Sequence, residues 1–176
     1  MSVLDLPCGT GQSFDGICAA IGPEGKLVGV DFSAGMLRKA AARVERLGES
    51  SVRLIQADVQ ALEPAQLERE AGISEFDRVH VFLGMSAFPD PAAAFEVLWD
   101  RLRPGGRFVI VDVHAEKPDF QGKMVNLVAR ADIRRRSWEP LEAVARDYVY
   151  RDLPSTKQHG GQLFVAAGNK PSVTGV

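Results

Sequence analysis

The chain has 176 residues, 45% hydrophobic and 25% charged, with a formal net charge of −2, which suits one domain with a sizeable core and gives no basic field for nucleic acid. Its two cysteines, Cys8 and Cys18, lack zinc-type spacing, so no metal site is expected and a reducing, cytoplasmic compartment fits best. No apolar run approaches the roughly 20 residues of a membrane span and the start is not leader-like, so neither membrane nor nucleic acid is an expected partner.

In chain order, short β-branched runs alternate with helical patterns. Residues 3–6 form the first run, followed by the glycine turn Gly9-Thr10-Gly11 and a helix. Residues 27–31 form the second, and Ser33 then caps a helix marked by Leu37, Ala40, Ala41, Val44 and Leu47, with Gly48 as its stop. Residues 52–56 and 76–83 are the third and fourth runs. Asp90 and Pro91 open a helix whose apolar stripe is read as Phe95, Leu98 and Leu102, ended by Pro104-Gly105-Gly106. The fifth run is residues 107–113. All five are apolar almost throughout, as strands buried on both faces are, so the alternation predicts βαβ units and a parallel sheet.

Residues 115–145 break this rhythm and predict two short helices in an excursion, with the basic run Arg134-Arg135-Arg136 and a break at Trp138-Glu139-Pro140. Residues 147–153 and 161–167 predict a final antiparallel pair joined by a turn over 154–160, and 168–176 a frayed tail. The expected architecture is therefore α/β: a Rossmann-like, doubly wound sheet of seven strands, mostly parallel with a final antiparallel strand and helices on both faces. One domain covers residues 1–167.

The glycine turn lets a ligand approach the backbone, and the helix after it offers unpaired N–H groups. Asp31 strengthens this signal, because a carboxylate ending the second strand, 20 residues past Gly11, can accept both hydroxyls of a ribose. A dinucleotide would want a third glycine where Phe14 stands, and Asp5 would oppose its pyrophosphate. Asp5 suits instead a cofactor with a positive end, such as the amino group and sulfonium of S-adenosylmethionine.

The chain resembles the class I S-adenosylmethionine-dependent methyltransferases, especially the ubiquinone/menaquinone-biosynthesis-like group of small-molecule enzymes. V-L-D-L-P-C-G-T-G-Q at 3–12 resembles their motif I, and G-V-D-F-S-A-G-M-L-R-K-A at 29–40 the ribose strand and its helix. I-Q-A-D-V at 55–59 resembles the adenine segment, while F-D-R-V-H-V at 76–81 and L-R-P-G-G-R-F-V-I-V-D at 102–112 resemble strands four and five. The resemblance implies that Asp31 holds the ribose, with Phe32 and Met36 beside it, and that Asp58 binds the adenine amino group with a backbone contact from Val59. It implies Gly9, Gly11 and Asp5 around the methionine part, closed on the other side by Leu83, Gly84 and Ser86. Pro7 stands where the family's first glycine is usual.

Methyl transfer needs alignment and water exclusion more than a catalytic signature. L-G-M-S-A-F at 83–88 stands where amino-methylating nucleic-acid enzymes carry N-P-P-Y, so a small-molecule acceptor is expected. His114, just past the fifth run, is the candidate proton acceptor. His80 reads as a packed core residue, His159 as a turn residue, and Arg130 and Arg134 to Arg136 as a solvated helix face. Tyr148, Tyr150 and Trp138 read as packing groups, and Cys8 as a small buried one. Members of the family usually carry some tens of residues before motif I, which here begins almost at once, so open or weak cofactor binding by this chain alone is expected, with a homodimer as one way to supply the cover. The alternatives to methyl transfer are a non-catalytic binding subunit, an NAD-dependent oxidoreductase, and transfer of an aminopropyl or carboxypropyl group.

Overall fold

The apolar runs pair as strands that need burial on both faces must. In a computed structural model describing residues 1–129, 131–155 and 160–172, the strands are β1 (Ser2–Asp5), β2 (Lys26–Asp31), β3 (Val52–Gln56), β4 (Phe76–Phe82), β5 (Leu102–His114), β6 (Arg146–Asp152) and β7 (Gln162–Asn169). They form one sheet in the order β3-β2-β1-β4-β5-β7-β6. All neighbours are parallel except β7, which runs antiparallel to both β5 and β6. The expected sheet is thus observed. The strand order reverses between β1 and β4, the kind of switch point where open α/β sheets bind ligands at their carboxyl ends.

The helices are α1 (Phe14–Ile21), α2 (Ala34–Leu47), α3 (Pro64–Ala71), α4 (Pro91–Asp100), α5 (Phe120–Ala129) and α6 (Glu139–Val144), with short 3-10 turns at Val59–Ala61 and Met85–Ala87. Ser33 caps α2 through Met36 N–H, and Gly48 ends it at φ +69°. Asp90 caps α4 by accepting from the N–H groups of Ala92 and Ala93. The helix α3, which the strand spacing alone did not resolve, has Pro64 at its first turn and Gly72 at φ +66° after it.

Alternate residues of each strand serve opposite layers. Val3, Leu27 and Val52 pack with Phe14, Cys18 and Ala40 under α1 and α2. Leu4, Val28, Ile55, Val79, Phe108 and Ile110 pack with Leu67, Phe95, Leu98 and Leu141 on the other face. The first layer is unequal. Over β1, β2 and β3 it is closed by α1 and α2, whereas over β4, β5 and β7 no helix lies on it among the described residues, and His80, Phe82, Val111 and Leu163 border an open groove of about 550 Å³.

Three boundaries differ from the sequence reading. Helix α4 ends at Asp100, and Leu102 begins β5 by pairing with Phe76 instead of completing the stripe. Pro104-Gly105-Gly106 is an irregularity inside β5: the register jumps from Phe76–Leu102 to Arg78–Arg107, Gly105 sits at φ +78°, and a Cβ on Gly106 would lie 2.6 Å from Leu102 Cδ1. The two short helices expected in the excursion are present as α5 and α6, and Trp138-Glu139-Pro140 stands at the start of the second. Residues 168 and 169 finish β7, and Lys170 is tied down by its N–H to Gly106 O at 2.8 Å and its Nζ to Trp99 O at 2.7 Å, so the tail is ordered that far.

Candidate active site

The turn after β1 is built by backbone. Cys8 N–H donates to Val30 O at 2.9 Å, Gly11 N–H to Cys8 O at 2.9 Å, and Phe14 N–H to Gly11 O at 3.1 Å. Gly9 and Gly11 both have positive φ, +55° and +73°, where a side chain is strained. Their surroundings differ. A Cβ on Gly9 would meet nothing within 4 Å, so this stretch of backbone fronts open space, whereas a Cβ on Gly11 would lie 2.6 Å from the Phe14 ring. That ring is buried and also fills the space left by Gly29, where a Cβ would lie 2.8 Å from Phe14 Cζ. Phe14 therefore does by packing what a third glycine does by being small.

Asp31 clamps the turn to β2. One carboxylate oxygen accepts from Gly9 N–H and the other from Ser33 N–H, both at 2.8 Å. Each oxygen keeps a further lone pair for a donor from outside. Phe32 and Met36 beside it are 73% and 43% exposed, an apolar rim with no protein partner over it. Asp58 is exposed and caps the turn that follows it through Gln60 N–H at 3.0 Å, while Val59 is buried.

The opposite wall is the end of β4. Leu83 adopts φ +52°, unusual for a branched side chain, and donates its N–H to Val111 O at 2.8 Å. Gly84 is packed on the Pro7 ring, with no room for a Cβ. Ser86 is drawn away from the cleft: its N–H and Oγ donate to the two oxygens of buried Asp112 at 2.8 and 2.9 Å. Burial holds the Asp112 carboxyl above the usual range, although the amides and hydroxyl that reach it work the other way. Between the two walls lies a cavity of about 270 Å³, lined among others by Gly9, Thr10, Ser13, Met36, Phe82 and Leu83.

Asp5 is fully buried beneath this cavity and does not line it. Its carboxylate accepts from Ser13 Oγ at 2.5 Å and faces His80 Nδ1 at 2.8 Å. The parallel register of β1 and β4 sets Asp5 directly beside His80. His80 is accordingly a paired side chain, 20% exposed at the groove. The signal for the pair was present in the sequence only as two positions near the carboxyl ends of two strands that turn out to be neighbours.

The remaining candidates lie elsewhere. His114 ends β5 and stands edge-on to Trp138, ring centres 4.9 Å apart, with Nδ1 unpartnered. It lines neither cavity described above, so the expectation of a proton acceptor at the cleft is not supported by its position; strand alternation turns it to the layer of Phe108, Ile110 and Asp112. Trp138, Tyr150 and Phe164 form one aromatic cluster, and burial pushes the unpartnered Tyr148 hydroxyl up to about 12. Arg134 binds Asp132, Arg135 donates to Phe88 O at 2.9 Å, and Arg136 pairs with Glu139 at 2.7 Å. Arg130 and His159 lie outside the described residues. Burial, with the Asp5 and Asp31 charges adding to it, pushes the Cys8 thiol far up and leaves it unreactive.

A family model described as a methyltransferase domain matches residues 1–168. The chain belongs to the class I methyltransferase domains. Over 122 residues this methyltransferase domain is 33% identical to a demethylmenaquinone methyltransferase of Lactococcus lactis, an alignment covering 69% of the chain and 46% of that protein. The domain thus spans about half the length of the curated relatives it matches. Its fold is shared with a Haemonchus contortus phosphoethanolamine N-methyltransferase bound to S-adenosylmethionine, at TM-score 0.75 and 15% identity over 98% of this chain and 49% of that one. A [4+2]-cyclase has the same fold at TM-score 0.72 and 18% identity, covering 97% of this chain and 75% of that one. At these identities the likeness is one of fold, and the fold alone does not choose the reaction.

Proposed function

We propose that the chain binds S-adenosylmethionine across the carboxyl ends of β1, β2 and β4 and donates its methyl group to a small, apolar acceptor. The observation that carries this reading is Asp31: a carboxylate fixed by two backbone amides, one of them the N–H of Gly9, a residue that lines the cavity and whose backbone fronts open space. The residues fit the cofactor. Asp31 would hold the ribose hydroxyls, Phe32 and Met36 would cover apolar parts of the ligand, Asp58 and Val59 would meet the adenine, and Gly9, Gly11, Leu83 and Gly84 would enclose the methionine part. Asp5 would act on it by charge through Ser13. Ser86 would act only by anchoring the loop after β4 to Asp112.

The bound cofactor supplies an activated methyl group on its sulfonium. The chain's own work is then to hold the ligand, align it and keep water out. The names of the curated relatives and the apolar groove beside the cleft, which shares Gln12, Ser13 and Phe82 with it, support an acceptor with an apolar ring. Free, buried cysteines and the lack of a helix long and apolar enough to span a membrane among the described residues support a cytoplasmic setting.

Titration calorimetry with S-adenosylmethionine tests the cofactor. Binding by the wild-type chain, weakened roughly a hundredfold in Asp31→Ala, is expected; a ribose carboxylate lost with its hydrogen bonds accounts for a change of that order. No binding by the wild type, or equal binding by both, overturns the reading. Incubation with a demethylated naphthoquinol then tests the reaction. S-adenosylhomocysteine as thioether product supports methyl transfer, and methylthioadenosine would instead mark transfer of the cofactor's aminocarboxypropyl arm.

A further inference from the structure

Asp5 and His80 are not needed to hold the ribose or the adenine, and theirs is the most enclosed contact between an acidic and a basic side chain among the described residues. Asp5 is 0% exposed, with one oxygen taken by Ser13 Oγ and the other by His80 Nδ1. A carboxylate can only accept, so Nδ1 carries a proton in this contact, and the state of Nε2 decides whether the ring is neutral or cationic. The His80 side chain, 20% exposed, borders the groove. Ser13, which links Asp5 to the cleft, lines both the groove and the cofactor cavity.

The groups around His80 leave Asp5 as its one contacting carboxylate among the described residues. Ser13, just before α1, and Ile17 on it border the groove, and Asp15 of that helix is paired with Arg43 at 3.4 Å. On β4 itself, Arg78 shares the sheet face and donates to Asp77 O at 2.7 Å. From β5, Val109 lies beside the ring, and Arg107 further along is held by Asn169 at 3.0 Å. Leu153 and Leu163 complete the groove without charge. The net charge of the pair is thus set by a single proton.

S-adenosylmethionine carries a sulfonium and its demethylated product, S-adenosylhomocysteine, does not. Resting on the cofactor reading above, we propose that the buried Asp5–His80 pair distinguishes cofactor from product by charge. With His80 neutral, the uncompensated Asp5 carboxylate favours the sulfonium; with His80 protonated, the imidazolium cancels that charge and the preference is lost. A change of one unit charge close to a partly solvated site alters the affinity of a charged ligand by about tenfold.

The test is calorimetric titration of the chain with each of the two ligands across roughly pH 5.5 to 8. The wild type should bind S-adenosylmethionine about tenfold more weakly at the acid end, with S-adenosylhomocysteine changing less than about threefold. His80→Asn, whose amide can still donate to Asp5, should bind both ligands without this difference. Equal pH dependence for the two ligands, or the same difference kept in His80→Asn, overturns the proposal while leaving the cofactor reading intact. Absence of S-adenosylmethionine binding at any pH overturns the cofactor reading instead. Should the variant not fold, imidazole NMR titration of the wild type decides: linkage requires S-adenosylmethionine to ease the proton off His80 by the same factor, and a His80 titration identical with both ligands refutes the discrimination.

Discussion

On one face of the same sheet, the half formed by β1, β2 and β3 and the half formed by β4, β5 and β7 are made of similar residues and meet different neighbours. Val3, Leu27 and Val52 are buried beneath α1 and α2, while Phe82 is 36% exposed and Val109, Val111, Leu163 and Val165 are half-buried. The difference lies in helical cover and not in strand chemistry. A strand's apolar run states a demand for burial on two faces, and a neighbouring element has to meet it. The two carboxylates that end β1 and β2 are held differently: backbone amides fix Asp31, while Asp5 meets the Ser13 hydroxyl and, across the boundary between the halves, His80 of β4.

Matched truncations break or sharpen this comparison most strongly. Leu27→Ala, in the closed half, should cost about 3 kcal/mol in denaturant unfolding, since the cavity left cannot collapse. Leu163→Ala, in the open half, should cost about 1 kcal/mol or less because water already reaches the site. Equal losses would show that the open half is as tightly packed as the closed one. Asp112→Ala should cost about 2 kcal/mol, as it strands the buried Ser86 N–H, and chemical denaturation measures this too.

The two glycines of the turn separate fold from binding at smaller scale. Gly11→Ala should lower stability by about 2 kcal/mol through left-handed strain and overlap with Phe14. Gly9→Ala should lower it by about 1 kcal/mol through strain alone, yet weaken cofactor binding more than Gly11→Ala does. Thermal melts beside ligand titrations check the pair. The smallest effect expected is at Asp77 near the amino ends of β1 and β4. Burial raises its carboxyl, but Ser2 N–H, Ser2 Oγ and Arg103 outweigh that and hold it below its ordinary 3.8. A depressed folded value means that its contribution is complete above pH 3.8 and fades as pH falls through the folded value. Acid unfolding of Asp77→Asn should therefore be slightly less steep there than that of the wild type.

The strands, the glycine turn and Asp31 were legible in the sequence because their signals are local: a run, a turn residue, a carboxylate at a strand end. Pro104-Gly105-Gly106 misled because the same residues that stop a helix also let a strand buckle, and only pairing with β4 tells which. His114 and Ser86 line neither the cavity nor the groove, for a related reason. Position near a carboxyl edge gives the level in the sheet, and one step of strand or turn decides the face. His80 was read as inert core because its partner, 75 positions away in sequence, becomes a neighbour only through the strand order.

The contact between Pro7 and Gly84 joins the two loops that bound the cleft from opposite sides. Because the proline ring occupies the space that a methyl group on Gly84 would need, a side chain at position 84 requires a change at position 7 as well. A population of variants should therefore show epistasis here. Gly84→Ala should be harmful beside Pro7 and relieved when Pro7→Gly accompanies it, so the ring in the first loop sets what the second loop tolerates.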